Sequence, residues 1–260
     1  MGILNLTPDS FSDGGLFVKK DNALIHVTQM INDGAQIIDV GGESTRPGAK
    51  EVSADEECSR VIPVIEAIRE ISNIPISIDT SKTEVMHQAV SSGASMINDV
   101  NALRADGAVE LTAKLNVPVC IMHMQGQPRT MQHTPTYVDV VKEVKNFLKE
   151  RIDVCLKAGI NQNNIIIDPG FGFGKTLEHN LSLFKHLEDF ENLGCPLLVG
   201  VSRKSMIGAV LDKPSVDERL NGSIALATLA AWKNANILRV HDVKETAEAL
   251  KLCQAVKEAK

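Results

Sequence analysis

The sequence lacks an excess of basic residues. Its 260 residues include 27 Lys and Arg against 33 Asp and Glu, which gives a formal net charge of −6 at pH 7. A protein that binds nucleic acid through phosphate contacts needs a basic face. The composition therefore argues against a nucleic-acid partner, although an acidic protein can still contain a small positively charged pocket.

The sequence also lacks paired cysteines and long apolar segments. No run of 18 apolar residues predicts a membrane span, and the opening residues MGILNLTPDSF do not resemble a signal peptide. The cysteines form no C-x-x-C pattern, which is typical of a reducing compartment. They are Cys58, Cys120, Cys155, Cys195 and Cys253. We therefore expect a cytoplasmic protein with no membrane partner.

A repeated unit organises the chain: a helical stretch, a glycine, an apolar run of strand length, and then an abrupt Asp or Asn. It is seen in INDGAQIIDVGG (31–42), SSGASMINDV (91–100) and KAGINQNNIIIDPG (157–170). Glycine is favoured just past the end of a helix. Nearly continuous apolar runs are typical of parallel strands that are covered on both faces.

Eight strands are predicted in this way, with amphipathic helices between them. They span about 2–5, 36–40, 76–79, 95–98, 117–122, 165–168, 197–201 and 237–240. Eight strands alternating with helices over some 250 residues predict an α/β fold, the (β/α)8 TIM barrel, as a single domain over residues 1–260. An open, doubly wound sheet is the alternative.

Polar residues follow every predicted strand. They are Asn5, Asp39, Asp79, Asn98, His123, Asp168, Ser202 to Lys204, Arg239 and His241. In a barrel the C-terminal ends of the strands meet on one face, where active sites lie. The general polarity of solvent-exposed loops does not account for a set that combines three carboxylates with a group of cations. We interpret His123 as a structural histidine.

The segment IIIDPGFGFGKT (165–176) superficially resembles a phosphate-binding loop. The pattern G-x-x-x-x-G-K-[ST] would require glycine at position 169, where the chain has Pro169. Proline lacks both the flexibility and the N–H group that a phosphate cradle uses. The alternate glycines also fail the dinucleotide pattern G-x-G-x-x-G. The informative residue is Asp168, beside glycines that let a flat ligand approach.

Several motifs together resemble one known family. They are MGILNLTPDSFSDGG, GGESTRPG, SIDT, MINDV, IMHMQGQPRTMQ, DPGFGFGKT, SRKSMIG and LRVHDV, in this order. Over essentially the whole chain, the set resembles the bacterial dihydropteroate synthases of folate biosynthesis, which sulfonamides inhibit. The resemblance implies a TIM barrel and a homodimer. It also implies the joining of 6-hydroxymethyl-7,8-dihydropterin pyrophosphate to p-aminobenzoate, with 7,8-dihydropteroate and pyrophosphate as products.

The resemblance also implies a pterin site. Its residues are Asp79, Asn98, Met122, Asp168, Lys204 and Arg239. Asp168 is expected to accept from the amine and ring N–H of the pterin, a carboxylate meeting two adjacent donors. Lys204 is expected to donate to the pterin carbonyl and ring nitrogen, and Arg239 to stack its planar guanidinium on the ring.

For the leaving group, the resemblance implies bound Mg²⁺ with Asn5 as its protein ligand, and an anion site of Arg46, Arg239 and His241. The implied mechanism is dissociative. Asp13 is the candidate to stabilise the cationic pterin methylene, and the loops 7–15 and 41–50 are expected to exclude water. The catalytic set is Asp13, Arg46, Lys204 and Arg239. The p-aminobenzoate site is Phe11, Thr45, Pro47, Phe173 and Ser202.

Two alternatives stay open at this point. A methyltetrahydrofolate-dependent methyltransferase would share Asp79, Asn98 and Asp168, but the loops TPDSFSDGG and STRPG and the segment SRKS favour a pyrophosphate and an aminobenzoate. A barrel that binds pterin without catalysis would show a degraded site. Asn5, Arg46 and Lys204 are all present.

Overall fold

A computed structural model describes residues 1–7, 16–44, 51–126, 131 and 134–259, with the backbone alone for residues 16–19. The predicted site residues Phe11, Asp13, Thr45, Arg46 and Pro47 lie outside the described residues.

Eight short strands form in the described residues, one for each predicted apolar run. They are β1 (Gly2–Asn5), β2 (Ile38–Gly41), β3 (Ile76–Asp79), β4 (Met96–Asp99), β5 (Val119–Met122), β6 (Ile165–Asp168), β7 (Leu198–Val199) and β8 (Ile237–Leu238). The largest differences from the sequence prediction are in the lengths of β7 and β8, each of which is only two residues long.

The strands pair in parallel and in chain order, and the sheet closes on itself. Strands β1 to β6 form one sheet and β7 pairs with β8. Two parallel bridges join these pieces: Ile167 with Leu197, and Gly2 with Val240. The structure is therefore the predicted (β/α)8 barrel, and the open-sheet alternative is wrong.

Helices surround the barrel. In the part of the chain that the structure describes they are α1 (Leu16–Asn32), α2 (Ala54–Ile71), α3 (Thr83–Ser91), α4 (Ala108–Leu115), α5 (Val140–Lys157), α6 (Leu177–Lys185), α7 (Ser205–Leu211), α8 (Leu220–Trp232) and α9 (Val243–Lys257). Helix α2 shows why they form where they do. The Ser53 side chain caps its N-terminus, and acidic residues in the first turn and Arg69 in the last complement the helix dipole. Among the described helices, none has the length and apolarity to cross a membrane.

Side-chain alternation along each strand divides the barrel interior into two layers. Met96, Cys120, Ile166 and Leu198 form a buried apolar cluster that contacts Ile237. Residues two apart on a strand point the same way. The residues two positions further along these strands line the cleft at the barrel mouth; they are Asn98, Met122, Asp168, Gly200 and Arg239.

Close packing against neighbouring backbone requires glycine at two positions of the β6–α6 connection. A Cβ atom at Gly170, where φ is +70°, would lie 1.9 Å from the carbonyl oxygen of His123. At Gly174, with φ of +61°, it would lie 2.4 Å from the carbonyl oxygen of Gln125. The connection therefore packs directly on the backbone that follows β5, and this close approach requires glycine.

We predict that Gly170→Ala lowers the free energy of unfolding by roughly 3 kcal/mol or more, because a backbone clash adds to an unfavourable φ. The matched control is Gly107→Ala. Gly107 has almost the same φ, +72°, but a Cβ atom added there would have no other atom within 4 Å. The control should lose only about 1 kcal/mol. Urea unfolding of the three proteins checks this, and equal losses in the two variants would contradict the packing argument.

Candidate active site

A cleft opens at the C-terminal ends of the strands. Nine of the sequence-predicted site residues line it: Asp79, Asn98, Met122, Asp168, Phe173, Ser202, Lys204, Arg239 and His241. Ile3, Val100 and Gly200 complete the lining. A cleft with mixed apolar walls and a few convergent polar groups suits a small, flat ligand.

Arg239 joins two strands across the cleft floor. Its Nε donates to Asp39 Oδ2 at 2.5 Å and its Nη2 donates to Asp79 Oδ2 at 2.6 Å. The side chain of Asp39 is fully buried and that of Asp79 is 12% exposed. Buried carboxylates are tolerable when they are paired and hydrogen-bonded, so Arg239 holds the two acids in place.

Asp79 titrates near neutrality in this environment. Burial raises its pKa to about 7, the Arg239 guanidinium acts in the opposite direction, and the negative charge of Asp39 adds to the increase. The physical cause is simple: one guanidinium faces two carboxylates, so one negative charge is in excess in a place with little water.

Asp168 and Lys204 form the opposite side of the cleft. Asp168 Oδ1 accepts from the N–H group of Gly170 at 2.7 Å. Burial raises the pKa of Asp168, and that backbone hydrogen bond and the Lys204 charge partly offset the increase. Burial lowers the pKa of Lys204 to about 8, against the favourable charge of Asp168. Lys204 Nζ donates to the carbonyl oxygen of Phe171 and lies 4.3 Å from the centre of the Phe173 ring.

Apolar side chains form part of the cleft lining, and Ser202 and His241 contact each other in the same lining. Met122 packs in a buried cluster with neighbours that include Val100, and Phe173 packs against it. Ser202 Oγ lies 3.1 Å from His241 Nδ1 and accepts from the His241 N–H group at 3.2 Å. The apolar side chains can therefore contact the face of a ring, while Ser202 and His241 offer polar groups.

Asn5 ends β1 beside the cleft. A Cβ atom at Gly41 would lie 3.8 Å from both Asn5 Oδ1 and Asp79 Oδ2, so these two oxygens lie close to the same residue of β2. Among the described residues, no group of three His, Cys, Asp or Glu side chains could hold a metal ion. A single hard oxygen donor still fits Mg²⁺, which keeps most of its waters and is bound together with substrate phosphates.

The Gly-Lys-Thr motif has a structural role. The Lys175 side chain is buried, and its Nζ donates to the carbonyl oxygens of Gly170 and Phe173 and lies 2.9 Å from His123 Nδ1. Burial lowers the pKa of His123 to about 2, with the Lys175 charge as the next cause. Thr176 caps α6. The lysine therefore stabilises its own loop from within, and the burial of His123 against it supports the interpretation of that histidine as structural.

Glu43 connects the two described ends of the segment 41–52, which are residues 41–44 and 51–52. Glu43 accepts from the Val52 N–H group at 3.1 Å and from Lys82 Nζ at 2.5 Å. Lys82 also donates to the fully buried Glu57 at 2.5 Å. The connection after β2 is thus tied to α2 and to the connection after β3.

Comparison with known proteins agrees with this geometry. The model of the pterin binding enzyme family matches residues 1–241. The dihydropteroate synthase of Haemophilus influenzae is 56% identical over 259 residues, which covers 100% of this chain and 94% of that protein. The chain belongs to the dihydropteroate synthase family.

Solved structures of dihydropteroate synthases share the fold. The Yersinia pestis enzyme in complex with a sulfonamide drug superposes with a TM-score of 0.95 at 50% identity, covering 100% of this chain and 94% of that one. The Xanthomonas albilineans enzyme with 4-aminobenzoic acid gives a TM-score of 0.95 at 48% identity, covering 100% and 93%. The resemblance seen in the motifs is therefore confirmed.

Some residues of the cleft were not predicted as site residues. Ile3 on β1 and Gly200 directly after β7 lie two positions before Asn5 and Ser202 respectively, so a strict two-residue alternation would have found them. Val100 follows Asn98 with the same spacing. Asp39 was noticed at a strand end but received no role, because its partner Arg239 lies 200 residues away in sequence.

We predict that the stability of the protein relative to Asp79→Asn falls as the pH rises from about 4 to about 7. The folded pKa of Asp79, about 7, is above the value of 3.8 for a free Asp side chain. The folded state therefore binds more protons than the unfolded state between these values, and rising pH favours unfolding.

Urea unfolding of both proteins at a series of pH values measures this difference. A difference that is constant, or that grows with pH, would show that Asp79 is ionised throughout and would contradict the electrostatic account of the cleft.

Proposed function

We propose that the chain condenses 6-hydroxymethyl-7,8-dihydropterin pyrophosphate with p-aminobenzoate to give 7,8-dihydropteroate and pyrophosphate. The observation that carries the proposal is the convergence of Asp79, Asn98 and Asp168 with Lys204 and Arg239 in one cleft of the barrel. The similar enzymes carry the name dihydropteroate synthase, and one of them holds 4-aminobenzoic acid. A methyltransferase is not favoured by these relatives.

The cleft offers a pterin the groups that its edge requires. Asp168 would accept from the pterin amine and ring N–H, one donor to each carboxylate oxygen, since the oxygen that accepts from Gly170 keeps a second lone pair. Asp79 and Asn98 would complete this edge, and Lys204, beside Asp168, would donate to the carbonyl and ring nitrogen. Met122 and the Arg239 guanidinium would contact the ring faces.

The pyrophosphate would leave from the rim of the cleft. Arg239 and His241 line the cleft, and Arg46 is proposed as the third member of the anion site. Asn5 would hold the Mg²⁺ ion through its amide oxygen. When bound, Mg²⁺ neutralises developing charge on the leaving group.

Bond breaking would precede bond formation. The C–O bond to pyrophosphate breaks, its electron pair leaves with the phosphate oxygen, and the exocyclic methylene becomes cationic in conjugation with the pterin. The carboxylates stabilise this charge, with Asp13 proposed as the one nearest the methylene. The neutral aniline nitrogen then forms the C–N bond, and its proton passes to solvent when the site opens again after the bond has formed. Exclusion of water, for which residues 7–15 and 41–50 are proposed, protects the cation.

The aminobenzoate would lie at the outer end of the cleft. Phe173 offers a ring to its face, and Ser202 would donate to its carboxylate. Phe11, Thr45 and Pro47 are proposed to complete this subsite. Sulfonamides would bind at the same place, in line with the Yersinia pestis enzyme that forms a sulfonamide drug complex.

Assembly and location are part of the proposal. We infer one pterin-binding domain over residues 1–260, which the family match over residues 1–241 supports. Large apolar residues are exposed on α8 and α9, among them Trp232 at 52% and Leu252 at 71%. They support a homodimer, because exposed apolar patches mark interaction surfaces. All five cysteines are buried and unpaired, which supports a reducing, cytoplasmic location.

Pyrophosphate release tests the proposed reaction. With Mg²⁺ and the pterin pyrophosphate, we expect release that rises with added p-aminobenzoate and yields an equal amount of dihydropteroate. Tight pterin binding without release that depends on aminobenzoate would instead favour a barrel that binds pterin without catalysis.

We predict that Asp168→Asn weakens binding of 6-hydroxymethylpterin by about 30- to 150-fold, because a charge-assisted pair of hydrogen bonds is lost. Isothermal titration calorimetry measures the dissociation constant. Asp153→Asn is the matched control, since it makes the same chemical change on an exposed face of α5. Equal affinity of Asp168→Asn and the control would show that Asp168 does not bind the pterin.

A further inference from the structure

Asp39 is a buried acid that the proposed reaction does not use. It lies on β2 with none of its side chain exposed. Its carboxylate accepts from Arg239 Nε at 2.5 Å and from Asn98 Nδ2, at 3.3 Å through Oδ2 and 3.5 Å through Oδ1. Both partners line the cleft, so Asp39 contacts two site residues from behind.

This contact determines which atom Asn98 presents to a ligand. An amide side chain has one donor end and one acceptor end. An ionised carboxylate only accepts, so the donor end of Asn98 must face Asp39. The opposite orientation would place the amide oxygen against a carboxylate and leave a buried repulsion. The acceptor Oδ1 is thereby left for the cleft that Asn98 lines.

The same carboxylate sets the orientation of Arg239. The guanidinium is a planar fork whose Nε and Nη2 are engaged by Asp39 and Asp79 respectively. Two carboxylates on neighbouring strands fix that plane. Removal of one would leave the fork with a single carboxylate partner of this pair.

We propose that Asp39 is a positioning residue. It makes Asn98 present an acceptor to the cleft, so that the cleft binds a ligand through a hydrogen-bond donor at this position. It holds the Asn98 amide with its oxygen toward the ligand and holds Arg239 in the plane it shares with Asp79. The inference rests on the proposed function, since it assigns the ligand edge that Asn98 meets: an N–H or NH2 group of a pterin-like heterocycle, not a ring acceptor.

The substitution Asp39→Asn tests this through the direction of one hydrogen bond. The new amide at position 39 can still accept from Arg239 Nε with an oxygen in the place of Oδ2, which also lies 3.3 Å from Asn98 Nδ2. Its NH2 group then takes the place of Oδ1, 3.5 Å from Asn98 Nδ2, so two donor groups face each other there. This repulsion favours an Asn98 amide that turns its oxygen toward position 39 and presents its NH2 group to the cleft. We expect at least 10-fold weaker binding of 6-hydroxymethylpterin in this variant.

The second substitution, Asn98→Asp, should restore binding in the Asp39→Asn background. A carboxylate at position 98 accepts from the amide at position 39 and still presents an acceptor to the ligand, whichever way it turns. Alone, Asn98→Asp places two carboxylates against each other and should destabilise the fold. The four proteins form a double-mutant cycle, measured by urea unfolding and by calorimetric titration with 6-hydroxymethylpterin, with Asp153→Asn as the surface control.

Recovery of at least half of the lost affinity (on a logarithmic scale) in the double variant supports the assignment, since a purely structural acid would not be rescued by a new acid at position 98. Wild-type affinity in Asp39→Asn, or a double variant no better than that single variant, overturns it. If the wild-type protein does not bind the pterin, the proposed function fails. The assignment of a ligand edge then fails with it, and the unfolding cycle tests only the contact, because additive losses at positions 39 and 98 would show that Asp39 does not hold the Asn98 amide.

Discussion

The two-residue alternation of side chains in a closed parallel barrel is the constraint on which the site depends. Each strand is short, so one inward residue falls in the apolar layer and the next falls at the mouth, as Cys120 precedes Met122 and Ile166 precedes Asp168. The apolar layer closes the barrel from below. The chemistry at the mouth is therefore built on residues whose backbone is fixed by strand pairing on both sides, which gives precise placement.

The cost of this arrangement is the burial of charge. Three acids, Asp39, Asp79 and Asp168, lie in or behind the cleft with two cations, Lys204 and Arg239, and the charge of the buried Lys175 also acts on Asp168. Desolvation raises the pKa of Asp79 and of Asp168 and lowers that of Lys204. Because burial raises the pKa of Asp79 and Asp168, added positive charge beside these two acids is favourable, which suits a reaction that forms a cation next to them.

Much of this could be predicted from the sequence, for physical reasons. Continuous apolar runs that end in Asp or Asn indicate parallel strands and their C-terminal ends, so Asp79, Asn98 and Asp168 were found from local pattern. The glycines at the helix ends marked where each helix stops before the next strand. Proline at position 169 excluded a phosphate loop because the backbone chemistry of proline does not depend on the fold.

What could not be predicted depends on contacts between distant parts of the chain. Gly170 and Gly174 are required because the β6–α6 connection packs on the backbone after β5. Lys175 is internal to that connection, whereas its motif is typical of a ligand-binding lysine. The pairing of Asp39 with Arg239 crosses the barrel closure. Local periodicity carries no information about such contacts.

Every proposed step requires that the inward residues at the strand ends form a pterin site. A crystal structure of the protein with 6-hydroxymethylpterin tests this requirement most directly. We expect the pterin amine and ring N–H within about 3.2 Å of Asp168, with the ring packed on Met122 and its edge facing Asn98. A pterin bound elsewhere, or in the cleft with a ring acceptor facing Asn98 and Asp168, would show that the strand ends do not form this site.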